Sequence, residues 1–449
     1  MSKVTVKEKI GFSLGEYSSS VVWQTLMFFL PFFYTDTFGL TAAGVAAMFG
    51  IVRIFDAFTD PLMGIIADRT NTRWGKFRPY ILWLAIPYGL AIVLMFTTPS
   101  LSESGKIIYA YITYSIMMVI YTAIMIPYNS MIGVISPNPD ERTSVSSYKF
   151  VFAYAAGFSV QLLIIPLVQK LGVGDAARGF QLTMGIFAAI SVVFLIISFL
   201  SVRERVQPDP LQKTSLRNDI KDLMNNRPWK ILFVVSLSTL IYIAIRSADI
   251  AYYFKYYLDK EGQMGIFMAT GTIFVLLGVL PTRWLSSIFG KKKLFIYCLI
   301  IIALSSSVFY FAGPEDMLLI YTAQIIFSLA SGPTMPLLLS MLADTADYSQ
   351  WKNGRRATGL IYSAATFAQK TGFAVGGVIV MAMLSWFGFI ADQMQTDLSL
   401  MGIRLAISFI PAAIALVAAI LLMFYNLEDR MVENIEKELT KRKEKPKTE

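Results

Sequence analysis

The sequence predicts an all-α membrane protein, with twelve transmembrane helices in two pseudo-symmetric bundles of six. Three observations carry this reading. Of the 449 residues, 55% are hydrophobic and 15% charged, against about 25% charged in soluble domains. Apolar stretches near or above the ~20 residues needed to cross a bilayer recur along the whole chain and overrule a prior of two or three globular domains. A polar stretch at residues 204–228, with prolines near both ends, divides these stretches into six and six.

The predicted spans of the first half lie near residues 17–35, 41–66, 78–98, 106–134, 149–169 and 180–201. The first is interrupted by Glu16, Ser18, Ser19, Ser20 and Gln24 and lacks a small-residue cleavage site. It is therefore expected to persist as a helix, its polar face on a cavity rather than on lipid. In the second half the spans fall near 230–257, 263–288, 293–312, 317–343, 358–387 and 403–425. The expected organisation is an N-terminal bundle over 1–203 holding a cation site, a cytoplasmic central loop at 204–228, a C-terminal bundle over 229–428 and a basic cytoplasmic tail at 429–449. The run from Pro281 to Lys293 echoes the first-half stretch 60–78, falling between the second and third spans of its own half. Two bundles related by an axis along the membrane normal, with a site between them at mid-depth, make the major-facilitator plan.

Basic residues fix the orientation. Clusters at Lys3–Lys9, 69–78, Arg142, 203–230, Lys291–Lys293, 352–356 and beyond Arg430 fall on every second loop. Both termini are thus predicted to be cytoplasmic, as in a bacterial inner-membrane protein. The net charge of +9 is mostly this bias plus the tail, and with no soluble domain to carry it a nucleic-acid partner is not expected. The chain has no histidine, which excludes imidazole proton relays and His-ligated metals and leaves proton traffic to carboxylates. Its single cysteine, Cys298, reads as a buried inert thiol. With no nucleophile–base set and no metal cluster, an enzyme is not expected, nor a cofactor.

Residues 56–79, DAFTDPLMGIIADRTNTRWGKFRP, are the most informative stretch. Asp56 and Asp60 fall inside a membrane-length apolar segment, where a carboxylate costs roughly 2.5–3.5 kcal/mol on insertion scales. At i and i+4 they share one helix face, their Cβ atoms about 6 Å apart. Two such acids repel unless they share a proton or a cation. The pairing points to an ion-coupling site, with a structural salt-bridge network involving Arg53 and Lys370 as its rival. Arg69, Arg73, Lys76 and Arg78 hold the segment's end on the cytoplasmic side.

Five motifs resemble the glycoside–pentoside–hexuronide:cation symporter family of the major facilitator superfamily. They are FFYTDTFGL (32–40), RIFDAFTDPLMGIIADRTNTRWGKFRP (53–79), YTAIMIPYNSMIGVIS (121–136), ERTSVSSYKF (141–150) and MLADTADYSQWKNGRRATGLIYSAATFAQKTGFAVGG (341–377). The resemblance runs over nearly the whole chain. It implies a sugar or glycoside as cargo and H⁺ or Na⁺ as the coupling ion. By it Asp56 and Asp60 match the family's cation-site acids, and Lys370 matches an intramembrane lysine beside them. The chain departs from the pattern at three positions. Met125 stands where the family has Asn or Asp in the fourth span, and a thioether is a poor ligand for hard cations. Lys149 replaces a sugar-contacting arginine and cannot form its bidentate fork. Ungapped spacing from Asp36 puts Ser20 where the family has a sugar-contacting aspartate.

The expected substrate contacts are Trp23, Gln24, Tyr121, Tyr128, Asn129, Lys149, Arg246 and Asp249. The aromatics and amides offer the flat apolar and hydrogen-bonding surface sugars use, with plain helix packing as the rival for each aromatic. Arg246 and Asp249, at i and i+3, read equally as a local structural pair. Arg53, Asp68, Arg69, Arg73, Lys76, Arg78, Asp344, Asp347, Arg355 and Arg356 are expected to gate or brace, as charge pairs at cytoplasmic span ends. The sequence thus predicts a monomeric, lipid-embedded importer of a glycoside, pentoside or hexuronide, driven by a monovalent cation through alternating access. The missing oxygen at Met125 favours H⁺, while Lys149, Arg246 and Lys370 keep an anionic sugar in play. A lysolipid or other amphiphile transporter of the same fold, and a non-transporting membrane sensor, stay open as alternatives.

Overall fold

The computed structural model describes residues 4–136, 139–205, 224–353 and 358–444. Arg355 and Arg356, and the side chains of Arg53, Asp56 and Asp68, lie outside the described residues. The described chain is helical, its one β feature an isolated bridge between Thr72 and Gly75. It forms two compact units. The first comprises Met1–Gln212 with Lys260–Ala269 and Met381–Thr396, the second Lys213–Asp259, Thr270–Val380 and Asp397–Glu449.

In the first unit α1 runs Val6–Phe28, eleven residues ahead of the apolar run that signals it. Thr5 caps it, its hydroxyl accepting from the Glu8 N–H at 3.3 Å. The charged first turn is stable because its residues are paired over long range. Arg205 Nη1 donates to Glu8 at 2.6 Å, and Lys9 meets Glu141 at 2.9 Å and Ser144 at 2.9 Å. Helix α2 spans Ala42–Arg69, capped by Thr41. The third expected span is split into α3 (Arg78–Trp83) and α4 (Ala85–Met95). The cause is Pro87, which lacks an N–H and crowds the carbonyl four residues before it. Helices α5 (Glu103–Ile135), α6 (Pro139–Gly172) and α7 (Ala176–Ser201) complete the unit, with α1 packed against α6 and α7. A Cβ at Gly15 would stand 2.7 Å from the Tyr128 ring, so glycine is what lets α1 and α5 approach there.

Residues of the second unit contribute to α8 (Arg227–Tyr252), α9 (Met264–Val279), α10 (Thr282–Phe289), α11 (Lys291–Phe311), α12 (Met317–Ser331), α13 (Thr334–Asn353), α14 (Thr358–Trp386), α15 (Asp397–Ile407), α16 (Phe409–Met423) and α17 (Asp429–Glu444). The first residues of α9 and the last of α14 cluster with the first unit. The core joins Leu232, Phe295, Leu299, Leu338, Ala415 and Leu422, all buried. The C-terminal helix α17 is amphipathic and docks on this core. Val432 and Ile435 are buried against it, and Trp351 Nε1 donates to Glu438 at 2.6 Å.

Among the described residues nine helices are long and apolar enough to cross a membrane. They match the fourth to twelfth predicted spans. The first three are helical, but α1 carries Lys7, Glu8, Lys9 and Glu16 and the third is broken at Leu84, while α2 runs unbroken over Ala42–Arg69. Ile108, Ile112, Ile116 and Val119 form an exposed stripe along α5. Such a stripe is at rest in lipid and would be a liability in water. The chain is an integral membrane protein.

Candidate functional site

The polar face of α1 is built on the i, i+4, i+8 positions Glu16, Ser20 and Gln24, which a helix stacks in one row. Ser20 donates to Glu16 Oε1 at 3.3 Å. The other oxygen of Glu16 meets Lys149 Nζ of α6 at 3.1 Å, both side chains being about one-sixth exposed. Lys149 also donates to Asn129 Oδ1 of α5, and its ammonium lies 5.1 Å from the centre of the Tyr128 ring. Three helices thus converge on one group of a carboxylate, an ammonium, an amide and a hydroxyl. Beside it Trp23 stacks on Tyr121, ring centres 5.8 Å apart and planes 26° from parallel. Ser19 fixes Tyr121 by donating to its hydroxyl at 3.0 Å. Gln24 rests on the bare backbone of Gly157 on α6. A flat aromatic face next to paired donors and acceptors is the surface a sugar ring needs.

Tyr128 itself is fully buried, its ring stacked on Phe12 at 4.4 Å and its hydroxyl donating to Phe12 O at 2.8 Å. In this conformation it supports the group from behind.

Asp60 lies on α2, and its Oδ1 accepts a hydrogen bond from Thr122 of α5 at 3.0 Å. Asp56 precedes it by one helical turn on the same helix. Tyr121, Met125 and Asn129 stand at i, i+4 and i+8 on α5, so Met125, half-buried, sits between the aromatic pair and the Lys149 group. Lys370 is half-buried on α14.

The loop after α2 is anchored by a residue outside the motif. Glu204 accepts from three consecutive backbone N–H groups, Lys76 at 2.9 Å, Phe77 at 2.7 Å and Arg78 at 2.9 Å. This is an anion in a nest of amides at the start of α3. Gly75 has φ +111°, and a Cβ there would collide with that carboxylate, so the glycine of the string is required twice over. Arg78 donates Nε to Phe199 O at 2.7 Å and lies over the Phe199 ring. Arg73 covers Trp74, while Arg69 is exposed. In the second unit Asp344 pairs with Lys291, whose backbone N–H also donates to Asp429 of α17 at 3.0 Å. Asp347 is half-buried on the same helix as Asp344.

On α8 Arg246 and Asp249 are buried, Arg246 bonded to Gln324 and to the Ile407 carbonyl at 3.2 Å.

Sequence reasoning passed over Glu16, Glu204 and Lys291. Glu16 was legible as part of a polar face of the first span on a cavity, not as a substrate contact. The signal that finds it is its place one turn before Ser20, on the row that meets α6.

A family model for MFS/sugar transport proteins matches residues 11–429. The inner membrane symporter YicJ of Escherichia coli (strain K12) is 32% identical over 442 residues, covering 98% of this chain and 96% of YicJ. An isoprimeverose transporter of Lactiplantibacillus pentosus is 32% identical over 437 residues, covering 96% and 91%. The crystal structure of the D323A mutant of the nucleoside transporter NupG superposes with a TM-score of 0.67 over 93% of this chain and 99% of that one, at 14% identity. It shares the fold.

Proposed function

The chain belongs to the MFS/sugar transport protein family, and on that premise we propose that it imports a glycoside, pentoside or hexuronide together with a proton. That it is a sugar symporter rather than an enzyme follows from the family and from its symporter and sugar-carrying relatives. The finer reading is supported above all by one observation, the Glu16–Lys149–Asn129 group beside the Trp23–Tyr121 stack. In it Glu16 supplies, one helical turn earlier, the carboxylate that is absent at Ser20, and Lys149 supplies the donor. Sugar hydroxyls replace the contacts these groups make with one another. Such an exchange of partners gives selectivity at little net cost, because every buried polar atom stays satisfied.

Asp56 and Asp60 are the coupling acids in this proposal. A proton removes the repulsion between two carboxylates in an apolar helix, and the hydrogen bond from Thr122 serves Asp60 when it is ionised. Sugar binding is favoured once the pair shares a proton. Alternating exposure of the loaded site then moves one charge inward, which gains about 2.3 kcal/mol per 100 mV, or roughly 50-fold accumulation. Both termini lie in the cytoplasm, the carrier sits in the inner membrane, and it works as a monomer.

The proton is favoured over Na⁺ because Met125 offers sulfur where a sodium site wants oxygen. Met125→Asp is expected to make uptake respond to Na⁺ or Li⁺ where the wild type does not. Initial rates in membrane vesicles at fixed pH, with NaCl, LiCl or choline chloride and a panel of labelled glycosides, pentosides and uronides, test both cargo and ion. A wild type already driven by Na⁺ rejects the proton, and a panel with no transported member rejects the sugar class.

A further inference from the structure

The buried pair on α8 is not a salt bridge. Arg246 spends its guanidinium on neutral acceptors, Gln324 Oε1 of α12 and the Ile407 carbonyl. It lies between the rings of Phe309 and Phe327, at 4.2 and 4.1 Å. Asp249, one turn along, has no exposed surface, and neither of its carboxyl oxygens has a hydrogen-bond partner among the described residues. An ionised carboxylate in that state is among the costliest groups a protein can bury, whereas a proton removes the charge at once.

The Ile407 carbonyl is open for a reason visible in the sequence. Pro411 has no N–H to donate to the carbonyl four residues before it. The chain breaks at Ser408, with φ −115° and ψ −89°, between α15 and α16. Arg246 and Ser306, the latter at 3.3 Å, fill the vacant acceptor. Irregular backbone inside a membrane helix is tolerated where protein groups satisfy it, and such breaks mark moving or binding elements. Asp249 is the one anionic side chain within i+3 reach of Arg246 on its own helix.

The other groups around it leave Asp249 unsatisfied. Tyr253, in the turn after α8, donates its hydroxyl to Phe309 O at 3.1 Å, and Tyr257 donates to Ala312 O at 3.1 Å. Arg404 of α15 donates to Tyr310 O and lies over the Tyr257 and Tyr310 rings. Helix α16 carries no titratable group. The acids of α13, Asp344 and Asp347, lie toward the opposite end of α8, where Asn226 donates to Thr345 O at 3.0 Å.

We propose that Asp249 is a proton-binding site in the second unit, distinct from Asp56 and Asp60. With Arg246 held by Ile407 and Gln324, Asp249 carries a proton. When the break at Ser408 rearranges and Arg246 loses the Ile407 carbonyl, Asp249 gives its proton to solvent and takes the guanidinium as an ion pair. One proton leaves and one salt bridge forms, so the charge in the bundle falls by one.

The test has two readouts. Infrared spectra of the purified, sugar-free protein at neutral pH should contain a protonated-carboxyl C=O band that Asp249→Asn lacks. The pH dependence of sugar exchange, measured with no gradient on a transported member of the panel, should be flatter in Asp249→Asn than in wild type. Superimposable carboxyl bands overturn the proposal. So does a lost band with an unchanged pH profile, since the acid would then hold its proton permanently. Should Asp249→Asn not assemble, Asp249→Glu is expected to shift the band rather than remove it, and an unshifted band again overturns the proposal. The infrared readout uses no sugar, so its failure is separable from failure of the cargo assignment.

Discussion

Asp60→Asn is expected to abolish concentrative uptake, reducing accumulation from the roughly 50-fold set by one charge at 100 mV to equality across the membrane. The amide keeps the volume and can still accept from Thr122, as Asp60 Oδ1 does at 3.0 Å, so α2 and α5 should remain joined. What it loses is the ability to exchange a proton. Sugar exchange without a gradient is expected to survive, because the substituted pair resembles the protonated one. Parallel assays of accumulation and of exchange in the same vesicles make the check. A variant that accumulates sugar like wild type removes Asp60 from coupling. One that loses exchange and accumulation alike has suffered a structural fault, which Asp60→Glu, keeping the acid, distinguishes.

The second large effect is expected at Glu16. Glu16→Gln removes the counter-charge of Lys149 and the charged acceptor proposed for a sugar hydroxyl. A hydrogen bond to a charged group contributes about 1.5–3 kcal/mol, so the half-saturating sugar concentration should rise on the order of 10- to 100-fold. Lys149→Met should cost a similar amount. The double variant should cost much less than the sum, since each single change strands the other member of a pair only one-sixth exposed. Strict additivity would mean that the two act separately. Wild-type affinity in Glu16→Gln would take the sugar away from this face of α1.

The fold was largely legible because membrane helices are written in long apolar runs. From the fourth span onward each predicted run has its helix, since lipid imposes length and hydropathy directly. The start of α1 was not, because Glu8 and Lys9 owe their place to Arg205 and Glu141, far away in sequence. A hydropathy window does not see such partners. The same limit hid Glu204, which reads as linker yet holds three amides of the Gly75 loop. The predicted span 403–425 runs through Pro411 without a break, whereas the helix breaks at Ser408 and the carbonyl that Pro411 frees is claimed from α8 and α11. Ser20 gave a gap where an acid was expected. Only the helical row it shares with Glu16 shows a carboxylate one turn earlier, against Lys149.

Proton symport is the central claim, and the pH of a weakly buffered suspension reports on it directly. De-energised cells producing the carrier receive a transported sugar of the panel, with the external pH and the external Na⁺ recorded together. A transient alkalinisation is expected as protons enter with the sugar, absent in Asp60→Asn, with no change in Na⁺. Sugar entry that leaves the external pH flat while Na⁺ falls would contradict it.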